Sequence, residues 1–210
     1  MLRVLLADDH EIVRKGLIQI LGKSFPGIAV DEAGDGPTAL ALLEKGRYAL
    51  VLLDISMPGR GGLEVLKEIR SRRPETRVLI LSMHPEEEYA ARALRAGASG
   101  YVTKRSAAEE LVTAVRKVLA GGRYVSASLA EMLAGELAPA SDRPPHDALS
   151  DREYQVMRMI ASGKTVTEIA EELSLSVKTI STYRTRILEK MKIRNNAGLA
   201  RYAAANRLLD

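Results

Sequence analysis

Five short apolar runs, Arg3 to Ala7, Ile28 to Ala33, Ala49 to Leu53, Val78 to Ser82 and Gly100 to Thr103, alternate with five segments of helical period. Those segments run roughly Glu11 to Leu21, Gly36 to Glu44, Leu63 to Arg72, Glu86 to Ala96 and Ala107 to Ala120. Such alternation implies a parallel sheet with helices on both faces, an α/β fold. The unbroken apolar run Ala49 to Leu53 is what a strand covered on both faces requires, and Pro58-Gly59 stops its continuation. Right-handed crossovers place the carboxyl ends of all five strands on one edge, where open α/β sheets bind ligands.

On that edge the sequence sets Asp8 and Asp9 after the first strand, Asp54 after the third, Ser82 after the fourth and Lys104 after the fifth. Singly, each has a plain structural explanation: helix N-caps for the first two, a turn cap, a strand-end hydroxyl and a surface amine. Jointly they describe a site. Crowded carboxylates raise one another's pKa unless a cation sits among them, and hard oxygen ligands suit Mg²⁺. Mg²⁺ recruits phosphate oxygens, so the expected chemistry is phosphoryl transfer with Asp54 as nucleophile. Lys104 and the metal would neutralise charge, and the Ser82 hydroxyl would bond a phosphoryl oxygen.

The 210 residues suffice for two small domains. The absence of cysteine rules out a disulfide framework and a thiolate metal site, and three scattered histidines argue against a histidine-based metal centre. The apolar N-terminus meets Asp8-Asp9 too soon for a signal peptide and nothing approaches a membrane span, so a cytoplasmic location without membrane contact is expected.

Ser126 to Leu137 has helical composition, and Ala138 to Asp147 carries three prolines and no apolar period. The expected organisation is a first domain over 1–121, a helical segment and flexible linker over 122–147, and a second domain over 148–210. Residues 148–210 show no strand pattern and hold 11 basic against 7 acidic side chains. Ser150 and Glu153 form a capping-box pattern ahead of a first helix that Gly163 ends. Helices are expected at Val166 to Leu173, Val177 to Met191 and Asn195 to Asn206, an all-α four-helix domain. The turn Ser174-Leu175-Ser176 before a basic helix is a helix-turn-helix pattern. In that helix Val177, Ile180, Ile187, Leu188 and Met191 form the expected inward stripe, and Lys178, Ser181, Thr182 and Thr185 fall opposite. A short polar face of this kind can enter a major groove, with Lys178, Arg184 and Arg186 on phosphates. A solvated helix face shows the same pattern.

Four blocks in order, Val4 to His10, Leu53 to Pro58, Ile80 to His84 and Gly100 to Lys104, resemble the receiver domain of bacterial two-component response regulators. The resemblance covers about the first 121 residues. It implies a flavodoxin-like five-stranded sheet in which Asp54 takes a phosphoryl group from a sensor histidine kinase. Asp9, Asp54 and the backbone carbonyl of Ser56 would hold Mg²⁺, with Asp8 binding largely through water. Ser82 and Tyr101 match the switch pair: when Ser82 moves toward the phosphoryl oxygens, the Tyr101 ring fills the space vacated. Without the resemblance Tyr101 reads as a half-buried core ring. Arg105 stands where many receivers carry a cis proline.

The blocks Leu149 to Glu153, Glu168 to Ala170 and Ser176 to Arg184 resemble the LuxR-type helix-turn-helix, so the whole chain resembles the NarL/FixJ response regulators. By motif position Ser181, Thr182 and Thr185 match base-facing residues, and Lys178, Thr179, Arg184 and Arg186 lie where phosphate contacts are expected. Tyr183 replaces a frequent histidine. The expected partners are a sensor histidine kinase, double-stranded promoter DNA, RNA polymerase and a second copy of the chain. Leu199, Tyr202 and Ala203 are the expected dimer seam. An aspartyl phosphatase of the haloacid dehalogenase type would need a second aspartate two residues after the nucleophile. That position is Ser56, so the protein is not expected to be a turnover enzyme beyond catalysing its own phosphorylation and dephosphorylation.

Overall fold

The computed structural model describes residues 2–106, 108–135, 144–206 and 208–209, without the side chains of 87, 88 and 132–135. The chain divides into two compact units, Met1–Ala134 and Gly135–Asp210.

In the first unit, strands β1 (Leu2–Ala7), β2 (Ile28–Ala33), β3 (Leu50–Asp54), β4 (Arg77–Ser82) and β5 (Gly100–Thr103) form one sheet of order β2-β1-β3-β4-β5. Every pairing is parallel. The helices between and after them are α1 (Glu11–Ser24), α2 (Gly36–Lys45), α3 (Gly62–Arg72), α4 (Glu86–Arg95) and α5 (Ala108–Leu119). This is the flavodoxin-like α/β arrangement expected. One core joins Val4, Leu6, Leu50, Leu52, Leu79, Leu81 and Val102 to Leu21 of α1 and Leu111, Val115 and Val118 of α5. These strand positions alternate, as one face of a pleated sheet requires, and each such side chain contributes roughly 1.5–3 kcal/mol when fully buried.

Past α5 the chain returns to the sheet. Tyr124 bridges Gly100 of β5, and its hydroxyl donates to Glu110 at 3.0 Å. The hydroxyls of Ser126, just ahead of α6 (Ala127–Gly135), and of Ser128, in its first turn, then donate to the Glu86 carboxylate at the start of α4. Residues 136–143, with the last residues of the expected Ser126–Leu137 helix and much of the expected linker, lie outside the described residues. Where the expected linker meets the second domain, Pro145–Ala148 is a 3₁₀ turn whose His146 Nδ1 lies 2.8 Å from the Tyr202 hydroxyl.

The second unit holds α7 (Asp151–Ala161), α8 (Val166–Glu172), α9 (Val177–Met191) and α10 (Asn196–Ala205). Each begins where a side chain accepts an otherwise unpaired helical N–H: Ser150, Thr165, Ser176 and Asn195. The Ser150–Glu153 capping box forms as expected. Two expectations need correction. Leu199 and Ala203 are fully buried in this unit's own core, where α10 packs on α7, and Tyr202 is engaged by His146, so these residues do not form a free seam. Val177 stands outside the inward stripe, because the core is met only from Ile180 onward. Among the described residues, no helix is long and apolar enough to cross a membrane.

Candidate functional site

The carboxyl edge of the sheet gathers the expected residues. Lys104, one residue past β5, reaches back so that its Nζ lies 2.6 Å from Asp8 Oδ2 and 2.8 Å from Asp54 Oδ2. All three side chains are buried. Apart from that ammonium, neither carboxylate oxygen has a hydrogen-bond partner among the described residues. The other oxygens are held by the chain: His10 N–H donates to Asp8 Oδ1 at 2.9 Å and Ser56 N–H to Asp54 Oδ1 at 3.2 Å. Burial holds the Asp54 carboxyl above its usual range; Lys104 pulls it down, Asp8 pushes it up, and burial prevails. The Lys104 ammonium is pushed down by burial, yet its two carboxylates outweigh that and hold it above its ordinary value.

Asp8, Asp9, His10 and Asp54 each bring a ligand atom to within 4.8 Å of the others, an acidic cluster with one imidazole. His10 was not among the expected members: its Nδ1 is 2.8 Å from Asp9 Oδ1. Asp9, 28% exposed, and His10, 61% exposed, are the members open to water.

A second residue absent from the expectations is His84. Its Nε2 lies 3.1 Å from Ser56 Oγ, its N–H donates to Ser82 Oγ at 3.0 Å, and its carbonyl accepts from the Tyr101 hydroxyl at 2.9 Å. His84 therefore ties the loop after Asp54 to the loop after Ser82 and to β5. Ser82 is buried, and Tyr101 is fully buried, where half-burial was expected, because its hydroxyl finds backbone acceptors inside. Among the described residues no peptide bond is cis, including the one into Arg105.

Gly62 was also missed. A Cβ there would lie 1.9 Å from the Asp54 carbonyl oxygen, so only glycine lets the start of α3 close against the end of β3. The Gly62 N–H donates to Ile55 O at 2.9 Å across this contact. The signal in the sequence was the Gly59–Gly62 cluster, which reads equally well as an ordinary turn.

In the second unit α9 exposes Lys178, Ser181, Thr182, Thr185 and Arg186, while Thr179 is half-buried. Arg184 is half-buried and donates through Nε to Asn196 Oδ1 at 2.7 Å, so it leans toward the start of α10 rather than standing free on the exposed face.

The "Response regulator receiver domain" family model matches residues 4–116, and the "Bacterial regulatory proteins, luxR family" model matches residues 147–203. Response regulator UvrY of Escherichia coli K12 is 39% identical over 212 residues, covering 100% of this chain and 97% of that protein. Response regulator GacA of Pseudomonas aeruginosa is 38% identical over 211 residues, with 100% and 99% covered. Among solved structures, RcsB from Salmonella enterica serovar Typhimurium bound to promoter P1flhDC with the phosphomimetic BeF3⁻ is similar. Its TM-score is 0.67 at 29% identity, over 97% of this chain and 98% of that one. The same protein on promoter rprA gives a TM-score of 0.65 at 28% identity, over 98% and 100%. With both family models in order and relatives matched along the whole chain, the protein belongs to the NarL/FixJ family of response regulators, transcription regulators that join a receiver domain to a LuxR-type DNA-binding domain.

Proposed function

We propose that Asp54 is the phosphoacceptor of this regulator and that its phosphorylation by a sensor histidine kinase controls dimerisation and binding to promoter DNA. The observation that carries this is the Lys104 ammonium held between the buried Asp8 and Asp54 carboxylates. Asp54 attacks the phosphorus of a phosphohistidine; a P–O bond forms, the P–N bond breaks, and the imidazole leaves with its electron pair. Lys104 stays beside the new acyl phosphate and balances its charge, while the Ser82 hydroxyl bonds a phosphoryl oxygen.

The residues present fit Mg²⁺. Asp8, Asp9, Asp54 and the Ser56 carbonyl are hard oxygen donors, they carry more negative charge than Lys104 neutralises, and Asp9 opens to water. When bound, the ion supplies positive charge to the transferring phosphoryl group. Hydrolysis of the acyl phosphate needs an attacking water. Ser56 offers no carboxylate base to take the proton of that water, so the phosphorylated state persists long enough to signal.

Ser82 and Tyr101 form the switch. The buried Tyr101 ring and the His84 backbone move with Ser82, reshaping the face of α4, β5 and α5. In the second unit Lys178, Thr179, Arg184 and Arg186 contact phosphates, and Ser181, Thr182 and Thr185 face bases of double-stranded promoter DNA; RNA polymerase is the onward partner. With Leu199 and Ala203 buried, the dimer seam on α10 falls to the exposed Ala197, Arg201 and Ala204. RcsB bound to promoter rprA, and two RcsB dimers bound to two parallel DNAs, support DNA binding as a dimer.

Fluorescence anisotropy of genomically mapped target DNA, with and without acetyl phosphate, tests it. The donor should tighten binding and drive dimerisation in the parent and do neither in Asp54→Asn. DNA affinity and dimerisation that ignore both the donor and the substitution would overturn it.

A further inference from the structure

Val177 is the first residue of α9 and is 47% exposed, although its spacing to Ile180 and Ile187 matches a buried stripe. A single exposed valine ordinarily needs no explanation. Its neighbours give this one a context. Val177 and Ser181, one turn apart, share an edge of the exposed face of α9, and Lys178, Thr182 and Thr185 extend that face. Thr182 Oγ1 donates to Lys178 O at 3.0 Å and Thr185 Oγ1 donates to Ser181 O at 3.1 Å. Both hydroxyl protons are thereby spent on the helix itself, which leaves each exposed threonine its methyl group and acceptor lone pairs for an outside partner. Ser181 keeps the one side-chain hydroxyl here with no partner among the described residues.

The first two turns of α9 therefore present methyl groups and an ammonium rather than amide or guanidinium forks. One turn past Thr185 the same face carries the exposed Glu189, which repels phosphates and limits contact to the residues before it. A helix-turn-helix reads bases from the N-terminal residues of its second helix. The apolar group that a base pair offers in the major groove is the thymine 5-methyl.

We propose that Val177 is a specificity-determining residue that packs on a thymine methyl, so that the operator carries a T·A pair opposite the first turn of α9. This rests on α9 entering the major groove as proposed above.

The test uses the full chain with acetyl phosphate and duplexes selected from a random-sequence library. Each thymine of the selected duplex is replaced in turn by deoxyuridine, which removes only the methyl group. One replacement should weaken parent binding about fourfold, the size of one buried methyl, and leave Val177→Ala binding changed less than twofold. Selection with Val177→Ala should relax the preference at that base pair alone. If the selected duplex is bound with steep salt dependence but every deoxyuridine penalty is the same in parent and variant, the role of Val177 is overturned and DNA binding stands. If no duplex is enriched and binding shows no salt dependence, both fall.

Discussion

The Tyr101 hydroxyl donates to the His84 carbonyl at 2.9 Å, which fastens the buried ring of β5 to the loop that follows Ser82. Because the His84 N–H donates in turn to Ser82 Oγ, displacement of that hydroxyl disturbs the acceptor on which Tyr101 depends. Tyr101→Phe keeps the ring and removes the bond. It should lower stability by about 1 kcal/mol in chemical denaturation. Labelling of Asp54 by acetyl phosphate should continue while the phospho-dependent gain in DNA affinity shrinks. An undiminished gain would remove Tyr101 from the switch.

Lys104→Met leaves two buried carboxylates facing each other without a cation. Breaking one side of such a cluster costs about 3–5 kcal/mol, so the thermal midpoint should fall at neutral pH. Added Mg²⁺ should recover more of that midpoint in the variant than it adds to the parent, since the ion would replace the lost charge. Equal shifts in both proteins would mean that the acidic cluster does not hold the metal.

Gly62→Ala forces a Cβ against the Asp54 carbonyl. Destabilisation of at least the roughly 1–3 kcal/mol of core overpacking is expected, with slower labelling by acetyl phosphate because the end of β3 must shift. Gly16→Ala is the control. Gly16 is exposed within α1, a Cβ there would touch nothing within 4 Å, and the change should stabilise by about 0.5–1 kcal/mol.

Leu199→Ala should destabilise the second unit by about 2–5 kcal/mol in urea unfolding, independently of protein concentration, because Leu199 is buried within one copy. A cost that appeared only through weaker dimerisation would restore Leu199 to the interface.

Glu153 is buried, which pushes its carboxyl up. Lys190 Nζ at 2.6 Å and the N–H and hydroxyl of Ser150 outweigh burial and hold it below the usual glutamate range. The unfolded chain therefore binds this proton more readily than the folded one. The stabilisation is complete above the unfolded pKa and is lost as pH falls through the lower folded value. Hydrogen exchange of α7 amides should show protection falling over that acidic window, and Glu153→Gln should flatten the dependence. An unchanged profile would assign the acid sensitivity elsewhere.

The alternation of apolar runs and helical periods was enough to establish five parallel strands, their helices and the shared edge that bears Asp8, Asp54, Ser82 and Lys104. Each of those signals is local: a strand covered on both faces needs an unbroken apolar run, and a helix needs its cap and its 3.6-residue period. The start of α9 at Val177, straight after the turn Ser174-Leu175-Ser176, was legible for the same reason. What tertiary structure alone decided concerns groups far apart in the chain. His84 meets Ser56 across 28 residues, and Tyr202 meets His146 across 56. Whether Tyr101 is half or wholly buried, and whether Leu199 faces its own core or a partner, depends on which elements close over each residue. Val177 fits the inward period of α9 yet stands exposed, because periodicity fixes direction around a helix axis and only packing fixes where along that axis the core begins.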